Sequence, residues 1–152
     1  MKNYIQFARK VVNMINFENT KNDRRERVFQ MLFAVDFYSE VSVNHLFESF
    51  YDSSDNIPTN GYIRETFIGA TEFANEADTL IEADSKNWST ARMSGVVRNI
   101  LRLAIYELLN TETPPKVIIN EAIELTKKFG EEQEPVFVNG ILNRIAKEAS
   151  KL

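Results

Sequence analysis

The sequence predicts an all-α protein, on three observations. Apolar residues recur at three- and four-residue spacings along most of the chain, which is the period of an amphipathic helix. Alternation of apolar and polar residues, the mark of a strand, is nowhere sustained. Helix-start and helix-stop residues bracket the periodic runs. With 152 residues, 43% hydrophobic and 26% charged, the chain is long enough for a sizeable core, as one domain or two intimately packed halves.

Taken in order, residues 2–16 place Ile5, Ala8, Val12 and Ile15 on one helical face. Asn19–Asp23 is a polar break with several N-cap candidates. The next period predicts a helix to about Tyr38 that buries Val28, Leu32 and Val35, with Phe29 and Phe33 on a flanking stripe. Ser42 or Asn44 opens another through Leu46, Phe47 and Phe50, and residues 52–58 read as a loop. Gly61 to about Ala83 is one long or broken helix through Ile63, Phe67, Ala70, Ala74, Ala77 and Ile81. Trp88 and Met93 fall in a short linking turn, with Trp88 as a core anchor. Val96–Leu109 is apolar nearly all round, which predicts a central buried helix.

Thr113 then serves as an N-cap, with Pro114 and Pro115 in a first turn whose N–H groups lack helical partners. Ile118, Ala122, Leu125 and Phe129 share a face. Lys127 and Lys128 suit the negative end of the helix dipole, and Gly130 suits its stop. Pro135 opens a last helix through Val138, Ile141, Leu142 and Ile145. Ile100, Leu101, Ala104, Leu108, Ile118, Ala122 and Phe137, with Trp88, are the expected core.

The wording of Val117–Phe129 (VIINEAIELTKKF), Phe137–Leu142 (FVNGIL) and Val97–Leu109 (VRNILRLAIYELL) resembles the NusB family of bacterial transcription antitermination factors. Asn87-Trp88-Ser89 with Arg92, Asp78 with Leu80-Ile81, and more loosely Arg25-Glu26, Gln30 and Leu32 extend the likeness over roughly residues 21–149. It implies two packed three-helix bundles, with residues 1–20 as an extra N-terminal helical extension and 21–152 as the NusB-like helical domain. The implied function is a non-catalytic RNA-binding adaptor in a bacterial cytoplasm. It would bind boxA-like single-stranded RNA together with the NusE ribosomal protein and help the elongation complex pass terminators.

Several function classes find no support in the residues. There is no cysteine for a disulfide or thiol chemistry, and no run of about 18 apolar residues to cross a membrane. Arg9 and Lys10 interrupt the first apolar stripe, unlike a signal peptide. The only histidine, His45, has no neighbouring metal ligands, and no glycine-rich phosphate loop occurs. No cofactor, metal or catalytic residue is expected. Glu121 and Glu124 read as a solvated face paired with Lys127 and Lys128 at helical spacing.

Charge suggests binding instead. Residues 1–30 carry seven Lys/Arg against three Asp/Glu, and residues 31–95 carry three against eleven. Lys21, Arg24, Arg25 and Arg27 cluster at a helix start, where side chains and free N–H groups can both meet phosphate. The family resemblance assigns RNA contact to Lys21, Arg24 and Arg25, although Asn22 and Asp23 stand where the family is usually basic and Phe33 where tyrosine is common. Glu65, Glu72 and Glu76, near Asp78, form a candidate face for a basic protein such as NusE.

Arg98 and Arg102 are read as structural, pairing with Glu107 or with the helix of Glu121 and Glu124. Asn120 and Asn139 are read as hydrogen-bonding helices together. Two other readings stand: a helical protein-interaction module with weak or lost RNA binding, and a homodimer whose RNA face is occluded.

Overall fold

A computed structural model describes residues 21–36, 61–83 and 89–151. The predicted segments 2–16 and 42–50, together with His45 and Trp88, lie outside the described residues. Among those described, six α-helices and one 3₁₀ turn make up the regular structure, with no strand. They are α1 (Lys21–Val35), α2 (Tyr62–Glu72), α3 (Ala74–Glu82), the 3₁₀ turn (Thr90–Arg92), α4 (Gly95–Asn110), α5 (Pro115–Phe129) and α6 (Glu134–Glu148). The all-α expectation holds. The chain divides into two compact units, Met1–Glu72 and Phe73–Leu152. The long 61–83 segment is broken at Phe73, so its second half, α3, belongs to the C-terminal unit.

In the N-terminal unit α1 packs against α2. Gly61, with φ +58°, leads into α2 in a conformation that favours glycine, and Ile63, Thr66, Phe67 and Ala70 form its buried face. From Arg25 to Leu32 every residue of α1 is buried. Eight residues exceed two turns, so this burial surrounds the helix rather than marking one face. Phe29 and Phe33, predicted on one stripe, lie with ring centroids 6.2 Å apart.

The C-terminal unit is organised around α4, which packs against α3, α5 and α6. Ser94 caps it: extended at φ −60° and ψ 150°, its hydroxyl accepts from the Val97 N–H at 3.1 Å. Val97, Ile100, Leu101, Leu103, Ala104, Ile105 and Leu108 are all buried, as the nearly continuous apolar sequence predicts. Buried Asn99 is satisfied locally, its amide donating to the Gly95 carbonyl at 2.8 Å.

Two helix ends differ from expectation. Pro114, not Thr113, is the N-cap of α5, and Pro115 takes the first helical position. A residue before proline is driven out of the helical region, so Pro114 stays extended at ψ 134°. Gly130 ends α5 in extended backbone at φ −104° and ψ −173°, so left-handed freedom is not its role. A Cβ there would stand 2.8 Å from Glu134 Oε1 and 2.9 Å from the Thr126 carbonyl oxygen. Close approach requires the glycine.

Of the expected core, Ile100, Leu101, Ala104, Leu108, Ile118 and Ala122 are buried. Phe137 is only half-buried. Leu101 is fully enclosed, so Leu101→Ala should lower the unfolding free energy by about 2–5 kcal/mol. Urea denaturation followed by circular dichroism measures this, and a neutral outcome would contradict the central position of α4.

Candidate nucleic-acid and partner interface

The basic cluster lies at the start of α1. Lys21 is the first residue of the helix, and Arg24 is half-buried. Arg25 and Arg27 are each only 3% exposed. The Arg25 guanidinium carbon lies 5.7 Å from the centroid of the Tyr62 ring, a cation–π contact between α1 and α2. The structure therefore separates the four candidates: Arg24 reaches the surface, whereas Arg25 and Arg27 are enclosed.

The acidic candidates are all exposed. Glu65 and Glu72 are seven residues apart on α2 and share one face. Glu76 lies on the first turn of α3 in the other unit.

Three arginines of the C-terminal unit, Arg98, Arg102 and Arg144, are used internally. Arg102 of α4 forms a two-bond pair with Asp78 of α3, Nε to Oδ1 at 2.8 Å and a terminal nitrogen to Oδ2 at 2.7 Å. Arg98 donates to the carbonyls of Thr90 and Met93 at 2.9 and 3.1 Å, fastening the 3₁₀ turn to α4. Arg144 of α6 donates to the carbonyls of Leu80 and Ile81 at 2.9 and 3.3 Å. These carbonyls lie in the last turn of α3, where carbonyls lack helical partners. The structural reading of Arg98 and Arg102 agrees with this, and Asp78 is the partner shown for Arg102.

Asn120 and Asn139 require correction. Both are exposed, and Asn139 accepts from the Asn143 amide within the same helix at 2.8 and 2.9 Å. They look like core breaks in the sequence because they follow apolar neighbours, but the helical turn carries them outward. Lys127 and Glu124 form the expected exposed pair at 3.2 Å.

One feature of the surface has no counterpart in the sequence reading. A cavity of about 350 Å³ is lined by Arg92, Met93, Ser94, Val97, Gln133, Glu134 and Phe137. Ser94 donates to Glu134 Oε2 at 2.9 Å, joining the start of α4 to the start of α6. The other oxygen of Glu134 accepts from the Glu131 N–H at 2.6 Å. Forty residues separate Ser94 from Glu134, and no short motif marks such a pair. The one available signal is Phe137, an aromatic residue whose neighbourhood in the chain does not say what it packs against.

Among the described residues no group of three or more His, Cys, Asp or Glu side chains could hold a metal ion, and no helix is long and apolar enough to cross a membrane.

Fold and surface thus define an all-α helical-bundle protein with charged residues on its exposed helix sides. The chain belongs to the NusB family, whose model matches residues 22–147. A transcription antitermination protein NusB of Geobacter sulfurreducens is 44% identical over 125 residues, covering 80% of this chain and 90% of that protein. The namesake of Anaeromyxobacter dehalogenans strain 2CP-1 is 41% identical over 128 residues, covering 80% and 87%.

Among solved structures, NusB of T. maritima superposes with a TM-score of 0.76 at 38% identity, covering 86% of this chain and 92% of that one. A crystal structure of the antitermination factors NusB and NusE in complex with dsRNA matches with a TM-score of 0.69 at 28% identity, covering 84% and 96%.

Acidity should loosen the 3₁₀ turn. The Thr90 backbone N–H at 2.6 Å, and then its hydroxyl at 3.0 Å, hold the exposed Glu82 carboxyl below its ordinary value of 4.5. A depressed folded value means the contact stabilises above the unfolded pKa and is lost as pH falls through the lower folded one. Melting temperature should therefore fall more steeply below pH 4.5 in the parent than in Glu82→Gln, and equal slopes would refute the contact.

Proposed function

We propose that this chain is a non-catalytic RNA-binding adaptor of transcription antitermination that takes up boxA-like single-stranded RNA together with the NusE ribosomal protein. The observation that carries this is the match, over 84% of the chain, to a NusB that stands in one crystal structure with NusE and dsRNA; the single-stranded boxA-like target rests on the family resemblance. Its place of action is the elongation complex on nascent transcripts, in the bacterial cytoplasm. On this reading Lys21 and Arg24, at the start of α1, supply the first phosphate contacts. Arg25 and Arg27 contribute to the same site only if their enclosure is relieved on binding. Glu65, Glu72 and Glu76 face the basic ribosomal protein, where opposite charge speeds encounter and fixes partner choice.

A second reading is favoured by one specific observation. With Arg25 and Arg27 3% exposed and Asp23 beside Arg24, the cluster offers phosphate little positive surface, which suits a protein-interaction module with weak or lost RNA binding. Under that reading NusE binding persists while RNA binding by the chain alone does not. A homodimer with an occluded RNA face remains distinguishable by its mass in solution.

The two readings separate by fluorescence anisotropy on a boxA-like single-stranded RNA across a salt series, with and without NusE. Arg24→Ala should weaken binding and flatten the slope of log K against log salt by about 0.7, one phosphate contact on a single strand. Asp23→Arg should tighten it. If Arg24→Ala binds as the parent does with the same slope, the start of α1 is not the RNA site. In stopped flow with NusE, Glu65→Lys combined with Glu72→Lys should slow association and reduce its salt dependence without altering the helical spectrum. An unchanged association rate would remove that face from the interface.

A further inference from the structure

Inside α6 an asparagine is followed by glycine, Asn139–Gly140, and both residues are exposed. That pair carries a chemistry of its own. The backbone nitrogen after an asparagine can close a ring onto the side-chain amide carbon. Glycine, with no Cβ, leaves the approach open and lets the backbone reach the conformations that closure needs. The fold gives no reason for a glycine here. A Cβ at position 140 would meet nothing within 4 Å, and Gly61, not Gly140, is the described glycine with positive φ. In a helix interior alanine would be the more stable choice.

Two features of α6 hold the ring closure back. Within an α-helix the Gly140 N–H is committed to the carbonyl four residues earlier, which occupies the nitrogen that would attack. The Asn139 side chain is also tied down. The Asn143 amide, one turn on and half-buried, donates to Asn139 Oδ1 at 2.8 Å and to the Asn139 backbone carbonyl at 2.9 Å. One amide nitrogen, with two N–H groups to give, thus fastens both the side chain that would be attacked and the backbone that would have to turn.

We infer that Asn139–Gly140 is a self-modification site kept silent by α6, with Asn143 holding Asn139 out of reaction. When this turn of the helix opens, hydroxide takes the Gly140 N–H proton and the nitrogen bonds to Asn139 Cγ. The Cγ–Nδ2 bond then breaks and ammonia leaves. Water next breaks one of the two carbon–nitrogen bonds of the cyclic imide. Breaking the bond at Cγ leaves aspartate, and breaking the bond at the backbone carbonyl leaves isoaspartate. The net change takes up water and releases ammonia, with nothing oxidised or reduced.

Isoaspartate routes the main chain through the side chain and so interrupts the hydrogen-bond ladder of the helix. Position 139 lies among buried Val138, Ile141 and Leu142, and α6 packs on α4 and α5. The modification therefore loosens a helix that closes the core of its unit. This inference is independent of the adaptor reading.

The test incubates the full-length parent, Asn143→Val and Gly140→Ala in mildly alkaline buffer, each well below its melting temperature, beside the parent unfolded in urea. Aspartate and isoaspartate at position 139 are measured by peptide mass mapping, which separates this pair from Asn60–Gly61. Amide hydrogen exchange at Gly140 is read in the parent and in Asn143→Val. Valine cannot donate, and its helix propensity is close to that of asparagine. Asn143→Val should speed both exchange and product formation about fivefold, the effect of one ordinary net hydrogen bond on local opening. Its melting temperature should stay near that of the parent. Gly140→Ala should suppress the product, and the unfolded parent should form it faster than any folded form.

Product formation at the parental rate in Asn143→Val would overturn the inference, as would a gain that merely tracks a lowered melting temperature. So would product in Gly140→Ala at the parental rate, or an unfolded parent that reacts no faster than the folded one.

Discussion

Burying α4 on nearly every side obliges each polar group near it to find a partner inside the C-terminal unit. An unsatisfied buried donor or acceptor costs about 1–3 kcal/mol, comparable to what a well-buried aliphatic side chain gains. The observed solutions are economical in residues. Asn99 turns back on its own helix, Arg102 takes Asp78 of α3, and Arg98 takes two carbonyls of the 3₁₀ turn. Arg144 of α6 then closes the last turn of α3. The helices that pack on α4 are thereby held by directional bonds as well as by apolar contact. Removing either partner of the Arg102–Asp78 pair would leave a largely enclosed charge without its counter-ion, which is the costly way to break such a pair.

The same physics limits what charge counting says about binding. The basic beginning of the chain suggests a phosphate-binding end, yet the arginine that the structure brings to the surface of described α1 is Arg24. Arg25 rests over Tyr62, and Arg27 is enclosed. Long basic side chains serve as packing elements as readily as ligands for phosphate, because their stems are apolar and their heads satisfy carbonyls or aromatic faces. The acidic candidates behave differently: Glu65 and Glu72 in one unit and Glu76 in the other are all exposed.

Helix identity is largely legible in the sequence because it is local. Ile118, Ala122 and Leu125 fall on one face by spacing, and the all-round apolar run of α4 announces its central burial. The family itself is legible in the wording of α4 to α6. Expectation and structure part where two local rules compete. Thr113 has the better N-cap side chain, but Pro115 forces the residue before it into extended backbone, and Pro114 becomes the cap. Gly130 stands in the expected place for a different reason, since crowding by Thr126 and Glu134 requires it rather than a left-handed turn. Asn120 and Asn139 mislead because an amide beside apolar residues has no fixed direction until the helix is rotated against its neighbours.

The sequence by itself determined the all-α class, the central helix, most of the core and the family, since periodicity, capping residues and motif wording are properties of adjacent positions. Only the tertiary structure decided which charges are surface and which are mortar, and where a cavity opens. Burial and hydrogen-bond partnership depend on residues distant in the chain: Asp78 meets Arg102, Leu80 meets Arg144, and Ser94 meets Glu134 forty residues away. No local pattern encodes those meetings, because they arise from how the helices pack once each has buried its apolar face.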